Sequence, residues 1–209
     1  MESGTPESSD PPAAASAQPT LWQGLLFEGI LLVLAIGLAL FVGLQPWAEL
    51  QSSPNAWMVS VVATVPLILL LVILLQLPFE WIERIMEAVR TALLPMIQRT
   101  GLWGIALLSI MAGVGEEFLF RGVIQEWLVS PLGEWGALAV ASLLFGAAHF
   151  ITPAYFILAT LMGAYLGLLY IWTGNLLVPV VVHALYDFVA LGYYYLRHGA
   201  SANGSSPPA

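Results

Sequence analysis

The sequence contains no cysteine and no lysine, and charged residues of all kinds make up 9% of its 209 positions. The absence of cysteine excludes disulfide bonds, thiolate nucleophiles and thiolate metal ligands. The absence of lysine and a net charge of -8 argue against a nucleic-acid partner, and no basic run is present that would attract anionic lipid head groups. The solvent-facing surface is therefore expected to be small and acidic.

Apolar residues dominate what is present. They make up 59% of the chain, and the mean hydropathy is +0.87, far outside the range of a water-soluble domain. A stretch of about 20 apolar residues is needed to cross a hydrocarbon layer of about 30 Å. Six stretches are long enough, at 22–46, 57–79, 103–127, 134–151, 154–172 and 176–196. We therefore predict an all-α, polytopic transmembrane helical bundle with about six spans.

The chain divides by composition. Residues 1–20 and 199–209 are rich in Ser, Pro, Ala and Gly, and we expect both to be disordered tails; the first lacks the basic and apolar regions of a signal peptide. Between them, residues 21–100 comprise N-terminal transmembrane helices and a basic connection, and residues 101–198 form a membrane core. Within the connection, residues 80–100 mix apolar and charged positions, which predicts an amphipathic helix on the membrane surface; a plain connecting helix is the alternative.

Arginine and tryptophan indicate the orientation. Arg84, Arg90 and Arg99 lie in the connection between the second and third stretches, which the positive-inside rule places in the cytoplasm. Six spans then place both termini in the cytoplasm, in agreement with Arg197, and we expect a plasma (inner) membrane. The tryptophans mark the span ends, as amphipathic rings do at the head-group level: Trp22, Trp47, Trp57, Trp81, Trp103, Trp127, Trp135 and Trp172.

Ionisable residues at membrane depth are the main functional signal, because each costs roughly 2.5–3.5 kcal/mol to insert at the bilayer centre. They are Glu116, Glu117, Arg121, His149, His183 and Asp187. Glu117 and Arg121 stand four apart on one helical face and can pair, whereas Glu116 is rotated by about 100° and is free to meet water or substrate. A purely structural ion pair is the alternative.

The histidines lie in two further motifs. His149 ends Phe145-Gly-Ala-Ala-His149, whose small residues let a neighbouring helix approach the imidazole. His183 and Asp187 are four apart and share a face, and Pro179 predicts a helix break that admits water. The alternatives are a helix-packing histidine and a neutral hydrogen bond between helices.

These residue types support two routes to hydrolysis. A carboxylate and an imidazole can take a proton from water. A second imidazole can then stabilise the oxyanion that forms when this water attacks an amide carbonyl. Alternatively, Glu116, His149 and His183 supply the three ligands of a catalytic zinc with one open position. The sequence contains neither HExxH nor GxSxG, and the residues leave the choice between the two routes open. A proton-coupled transporter can use the same groups as a relay.

The three motifs, EExxxR at 116–121, FxxxH at 145–149 and HxxxD at 183–187, resemble in kind and order those of the CPBP family of CAAX-processing and bacteriocin-processing intramembrane endopeptidases. The resemblance covers about residues 101–197. It implies that Glu116 and His149 activate water, that His183 and Asp187 hold the oxyanion, and that Glu117 and Arg121 support the site. The family position of Asp187 is frequently Asn, whose amide can donate to an oxyanion, so this role of Asp187 is in question.

The resemblance also implies partners and alternatives. Substrates would be membrane proteins or lipidated peptides in the bilayer, and the family is often described as metal-dependent, so a divalent metal such as zinc stays open as cofactor. A catalytically silent scaffold or immunity protein is the remaining alternative.

Other small or polar residues have structural interpretations. Gly163 and Gly167 predict close helix packing, and Glu28, near the start of the first stretch, is expected to snorkel to the surface.

Overall fold

The computed structural model describes residues 20–198, which form an all-α bundle, as predicted. The helices are α1 Leu21–Val42, α2 Pro54–Gln76, α3 Glu80–Leu119, α4 Glu126–Ala148, α5 Pro153–Thr173 and α6 Leu177–His198. A 3₁₀ turn, Pro46–Glu49, follows α1, and a π-helix, Phe120–Gln125, joins α3 to α4. Apart from Thr20, the two predicted tails lie outside the described residues.

Local sequence explains where the helices begin. The Ser53 hydroxyl accepts a hydrogen bond from the backbone N–H of Ala56 at the start of α2. The Thr152 hydroxyl does the same for Tyr155 at the start of α5. A proline follows each of these caps, at the first helical position, where its missing N–H costs nothing.

Pro179 also lies in a first turn, because α6 begins at Leu177. Its missing N–H is therefore one of the four that are unpaired at the start of every helix. The helix break predicted at Pro179 is wrong.

Five helical stretches are long and apolar enough to cross a membrane, and one of them, Leu93–Ala148, is 56 residues long. A straight helix of that length would measure about 84 Å. It instead folds back at Gly133, whose φ of 70° is in the region that favours glycine. Across this turn the rings of Phe120 and Phe145 lie 5.0 Å apart. The stretch therefore makes two antiparallel passes, which gives six helical passes in the bundle; that all six cross a membrane stays a prediction.

The basic connection is helical from Glu80 and is separated from the rest of α3 by non-helical geometry at Gly101. Ile82 and Ile85 are buried, whereas Arg84 and Glu87 are exposed. The segment is therefore amphipathic, as expected, and its position on a membrane surface stays a prediction.

Exposed side chains of the bundle are apolar on nearly all sides, as expected for a surface that faces lipid. All eight tryptophans are exposed, from 37% for Trp81 to 89% for Trp103. The interior cluster joins α1, α3, the π-helix, α4, α5 and α6, through residues such as Ala35, Phe118, Phe120 and Phe145. The ionisable residues lie beside this cluster.

Candidate active site

Glu117, near the end of α3, is the most buried carboxylate of the site, with no exposed surface. Its Oε1 accepts a hydrogen bond from Nη1 of Arg121 at 2.7 Å, as the i,i+4 spacing predicts. Arg121 is 1% exposed and donates through Nη2 to the carbonyl oxygen of Gly163 at 2.7 Å, and its guanidinium lies 4.6 Å from the ring centroid of Phe145. Arg121 therefore neutralises Glu117 and ties α3 to α4 and α5.

The glycines of α5 make this tie possible. A Cβ on Gly163 would lie 3.2 Å from Cα of Ser142 on α4. A Cβ on Gly167 would lie 2.6 Å from Oε1 of Gln125, whose side-chain amide donates to the Gly167 carbonyl oxygen at 3.2 Å. The predicted close packing at these two glycines is confirmed, and it also supplies the carbonyl that binds Arg121.

His183, on α6, connects two carboxylates. Its Nδ1 lies 2.8 Å from Oε1 of Glu117, and its Nε2 lies 3.5 Å from Oδ2 of Asp187. Since Glu117 is paired with arginine and accepts hydrogen bonds, Nδ1 carries a proton and donates. The imidazole is thus held in one orientation, with Nε2 facing the more exposed Asp187.

His149 follows the last residue of α4. Its Nδ1 lies 2.9 Å from the carbonyl oxygen of Phe145, and because a carbonyl can only accept, Nδ1 is the donor. Its ring stacks on that of Phe145 at 4.5 Å. Nε2 is left to face Oε2 of Glu116 at 3.4 Å, which is longer than a good hydrogen bond. Both histidines therefore direct Nε2 toward a carboxylate of the site.

Close contact between α3 and α6 brings Glu117 to His183. A Cβ on Gly113 would lie 2.7 Å from the carbonyl oxygen of Val180 and 3.0 Å from Cβ of Ala184. These atoms leave no room for a side chain at position 113. A glycine one turn before Glu117 is therefore what allows the two helices to approach this closely.

All six residues predicted from the sequence converge. They form two chains of contacts, Glu116 with His149, and Arg121 with Glu117, His183 and Asp187. Phe145 packs against both histidine rings, at 4.5 Å from His149 and 5.9 Å from His183. The carboxylates face imidazole nitrogens as well as an arginine, which is more than a structural ion pair or isolated packing histidines would need.

One residue near the site was missed. Glu28 on α1 is 7% exposed and contacts α3 at Gly115, so the expectation that it snorkels to the surface is wrong. A lone carboxyl inside a 22-residue apolar helix was the available signal for Glu28.

The predicted zinc ligands do not fit a metal site in this arrangement. Nε2 of His183 faces Asp187, while Nε2 of His149 faces Glu116. Across residues 20–198, no three His, Asp or Glu side chains are grouped so that they could hold a metal ion. A metal cofactor stays a prediction, and the chemistry considered below uses the side chains alone.

Comparison with known proteins shows that part of the chain is similar to one protein family. Residues 98–189 match the family described as type II CAAX prenyl endopeptidase Rce1-like. The match includes all three motifs and confirms the resemblance predicted from them. Together with the apolar helices, the match supports an integral membrane protein.

A curated relative matches over part of its length. The chain is 41% identical over 88 residues to the uncharacterized protein YpbD of Bacillus subtilis (strain 168). The match covers 41% of this chain and 42% of that protein, so the chain spans less than half of its relative. No solved structure matches significantly.

Proposed function

We propose that this chain, whose residues 98–189 match the Rce1-like family, is an intramembrane endopeptidase that hydrolyses peptide bonds of membrane-associated or lipid-modified substrates. The observation that supports this most directly is the pair of Glu116 and His149. Oε2 of Glu116 is buried and has no hydrogen-bond partner among the described residues, yet it lies 3.4 Å from Nε2 of His149. A water molecule that binds beside this pair reaches a carboxylate and an imidazole at once.

The reaction begins with that water. Glu116 takes a proton from it, with Nε2 of His149 assisting, and the oxygen attacks the carbonyl carbon of the scissile peptide bond. A C–O bond forms, and the carbonyl oxygen becomes an oxyanion. As the C–N bond breaks, the proton held by Glu116 passes to the leaving nitrogen, which departs as an amine. The products are a carboxylic acid and an amine, and Glu116 is again a carboxylate.

His183 is the proposed donor to the oxyanion. Because Nδ1 is fixed on Glu117, Nε2 is the nitrogen that can point toward substrate. Its distance of 3.5 Å from Asp187 is too long for a strong bond, so the proton on Nε2 is available to a second acceptor. Asp187 then acts as a positioning residue that favours a proton on Nε2. This role needs no hydrogen-bond donor on residue 187, so it is compatible with Asp in place of Asn.

Arg121 and Glu117 act through His183. The guanidinium donates to Oε1 of Glu117, and the same oxygen accepts from Nδ1 of His183 and holds the imidazole in place. Neither needs to contact substrate.

We also propose a plasma (inner) membrane as the location, with both termini in the cytoplasm; the arginine distribution supports this orientation.

The test compares the natural chain with Glu116→Gln, which keeps the size of the side chain and removes its basicity. Membrane-protein termini are measured by mass spectrometry in cells that contain either chain at equal abundance, with the exposed Glu83→Gln as control. We expect new termini with the natural chain and the control, and cleavage lower by about 10²- to 10⁴-fold with Glu116→Gln. Equal cleavage by Glu116→Gln would refute the role of Glu116, and unchanged termini in all cells would favour a transporter or a silent scaffold.

A further inference from the structure

Glu28 is a buried carboxyl that the mechanism above does not use. It is the eighth residue of α1 and is 7% exposed, and its Oε2 has no hydrogen-bond partner among the described residues. The nearby cation does not pair with it: Arg121 donates its hydrogen bonds to Glu117 and to the Gly163 carbonyl oxygen. A carboxyl in an apolar helix is costly, and one that serves only structure is expected to have a partner.

Gly115 brings this carboxyl next to the catalytic glutamate. A Cβ on Gly115 would lie 2.8 Å from the backbone oxygen of Glu28 and 3.3 Å from its Oε2. Only a glycine therefore lets α1 approach α3 at this point, one residue before Glu116. Glu28 is thus held against the backbone of the site itself.

Glu28 adds a buried carboxyl next to the rest of the site, because Gly115, which it contacts, directly precedes Glu116. With Glu28 the site contains four carboxyls, against one arginine and two histidines. Three of the carboxylate oxygens, the Oε2 atoms of Glu28, Glu116 and Glu117, are buried without a hydrogen-bond partner. Such a site favours a ligand that brings hydrogen-bond donors.

A peptide bond brings one such donor, its N–H, and hydrolysis turns that group into an amine with two. We propose that Glu28 is a further catalytic residue of this site, whose carboxyl accepts a hydrogen bond from the scissile peptide N–H and from the departing amine. This inference rests on the proposed function. Glu28 neither gains nor loses a proton in this role, since the proton delivered to nitrogen is the one that Glu116 took from water.

The bond to Glu28 strengthens as the nitrogen leaves, because the nitrogen takes the proton from Glu116 at that stage, gains positive charge and becomes a stronger hydrogen-bond donor to the carboxyl. An interaction that is stronger in the transition state raises kcat more than it lowers KM. Loss of a hydrogen bond to a charged group predicts a kcat lower by about 10- to 100-fold. A purely structural Glu28 predicts loss of folded protein instead.

The experiment uses the full chain in membranes and a substrate found in the comparison of termini above. Two variants are made, Glu28→Gln, which keeps an acceptor oxygen, and Glu28→Met, which keeps the approximate volume and removes polarity. The exposed Glu83→Gln serves as the control for loss of a carboxyl. For each chain kcat, KM and the thermal unfolding midpoint are measured.

The expected result is a lower kcat for Glu28→Met with little change in KM, a smaller loss for Glu28→Gln, and an unfolding midpoint no lower than that of the natural chain. A natural kcat in Glu28→Met would overturn the inference and leave the proposed function intact. Activity that falls only in proportion to folded protein would also overturn it. If the natural chain and the control cleave nothing, the proposed function fails, and the inference fails with it.

Discussion

At the scale of single residues, Arg121, Glu117 and His183 form a buried group that is costly to remove from water and is held in place by shared hydrogen bonds. Each charge is expensive to remove from water, and the cost is offset only while all partners are present. Glu117 Oε1 accepts from both of the other side chains. The site is therefore expected to be rigid, and loss of one member is expected to harm the others.

Arg121→Met tests this interdependence. The change leaves Glu117 buried without its cation, and we expect the protein to lose about 3–5 kcal/mol of stability. The double variant Glu117→Gln with Arg121→Met removes both charges and should regain a large part of the loss. Unfolding of the three chains in detergent gives the values. Equal stability of the natural chain and Arg121→Met would contradict a tightly coupled pair.

Residue spacing predicted part of this group. The pairing of Glu117 with Arg121 follows from an i,i+4 spacing, and the pattern of motifs identified both histidines. The bond from His183 to Glu117 joins residues 66 apart in sequence and depends on how α6 packs on α3, which spacing does not determine. The burial of Glu28 likewise depends on its contact with Gly115, so its position near a helix end was misleading.

At the scale of elements, the bundle brings the site together through glycines at helix contacts and an irregular helix. The π-helix Phe120–Gln125 begins directly after α3 and contains Arg121. A π segment changes the direction of side chains relative to an α-helix, and such segments are frequent at functional sites. No pattern in the sequence predicted it, because the apolar stretch continues through it without a change in composition. The turn at Gly133, by contrast, lies where two predicted spans meet.

Gly113→Ala tests the contact between α3 and α6. A methyl group at this position meets the Val180 carbonyl and forces the helices apart, which separates Glu117 from His183. We expect a loss of about 1–3 kcal/mol in stability, as for other overpacked contacts, together with a lower rate of cleavage. The matched control is Gly37→Ala on α1, where a Cβ has no neighbour within 4 Å. Full activity in Gly113→Ala would show that this contact does not position the histidine.

At the scale of the whole molecule, the site draws on most of the bundle. The predicted residues come from α3, the π-helix, the residue that follows α4, and α6; α5 supplies the Gly163 carbonyl, and α1 supplies Glu28. The motifs lie after residue 100, so the sequence alone assigned the chemistry to residues 101–198. Contact between α1 and α3 brings part of the preceding segment into the same site, which composition had no means to show.

Six crossings would place both ends of the described segment on one side of the membrane, and because the sequence has no cysteine, single introduced thiols can test this prediction. Glu83→Cys introduces a thiol on the basic helix, and Glu134→Cys introduces one beside the Gly133 turn; both positions are exposed. With cytoplasmic termini, a membrane-impermeant maleimide added to intact cells should label Glu134→Cys, while Glu83→Cys should react only after permeabilisation. The natural chain is the unlabelled control. The reverse pattern would invert the bundle and place the arginines outside, against the positive-inside rule, and labelling of both thiols in intact cells would contradict six crossings.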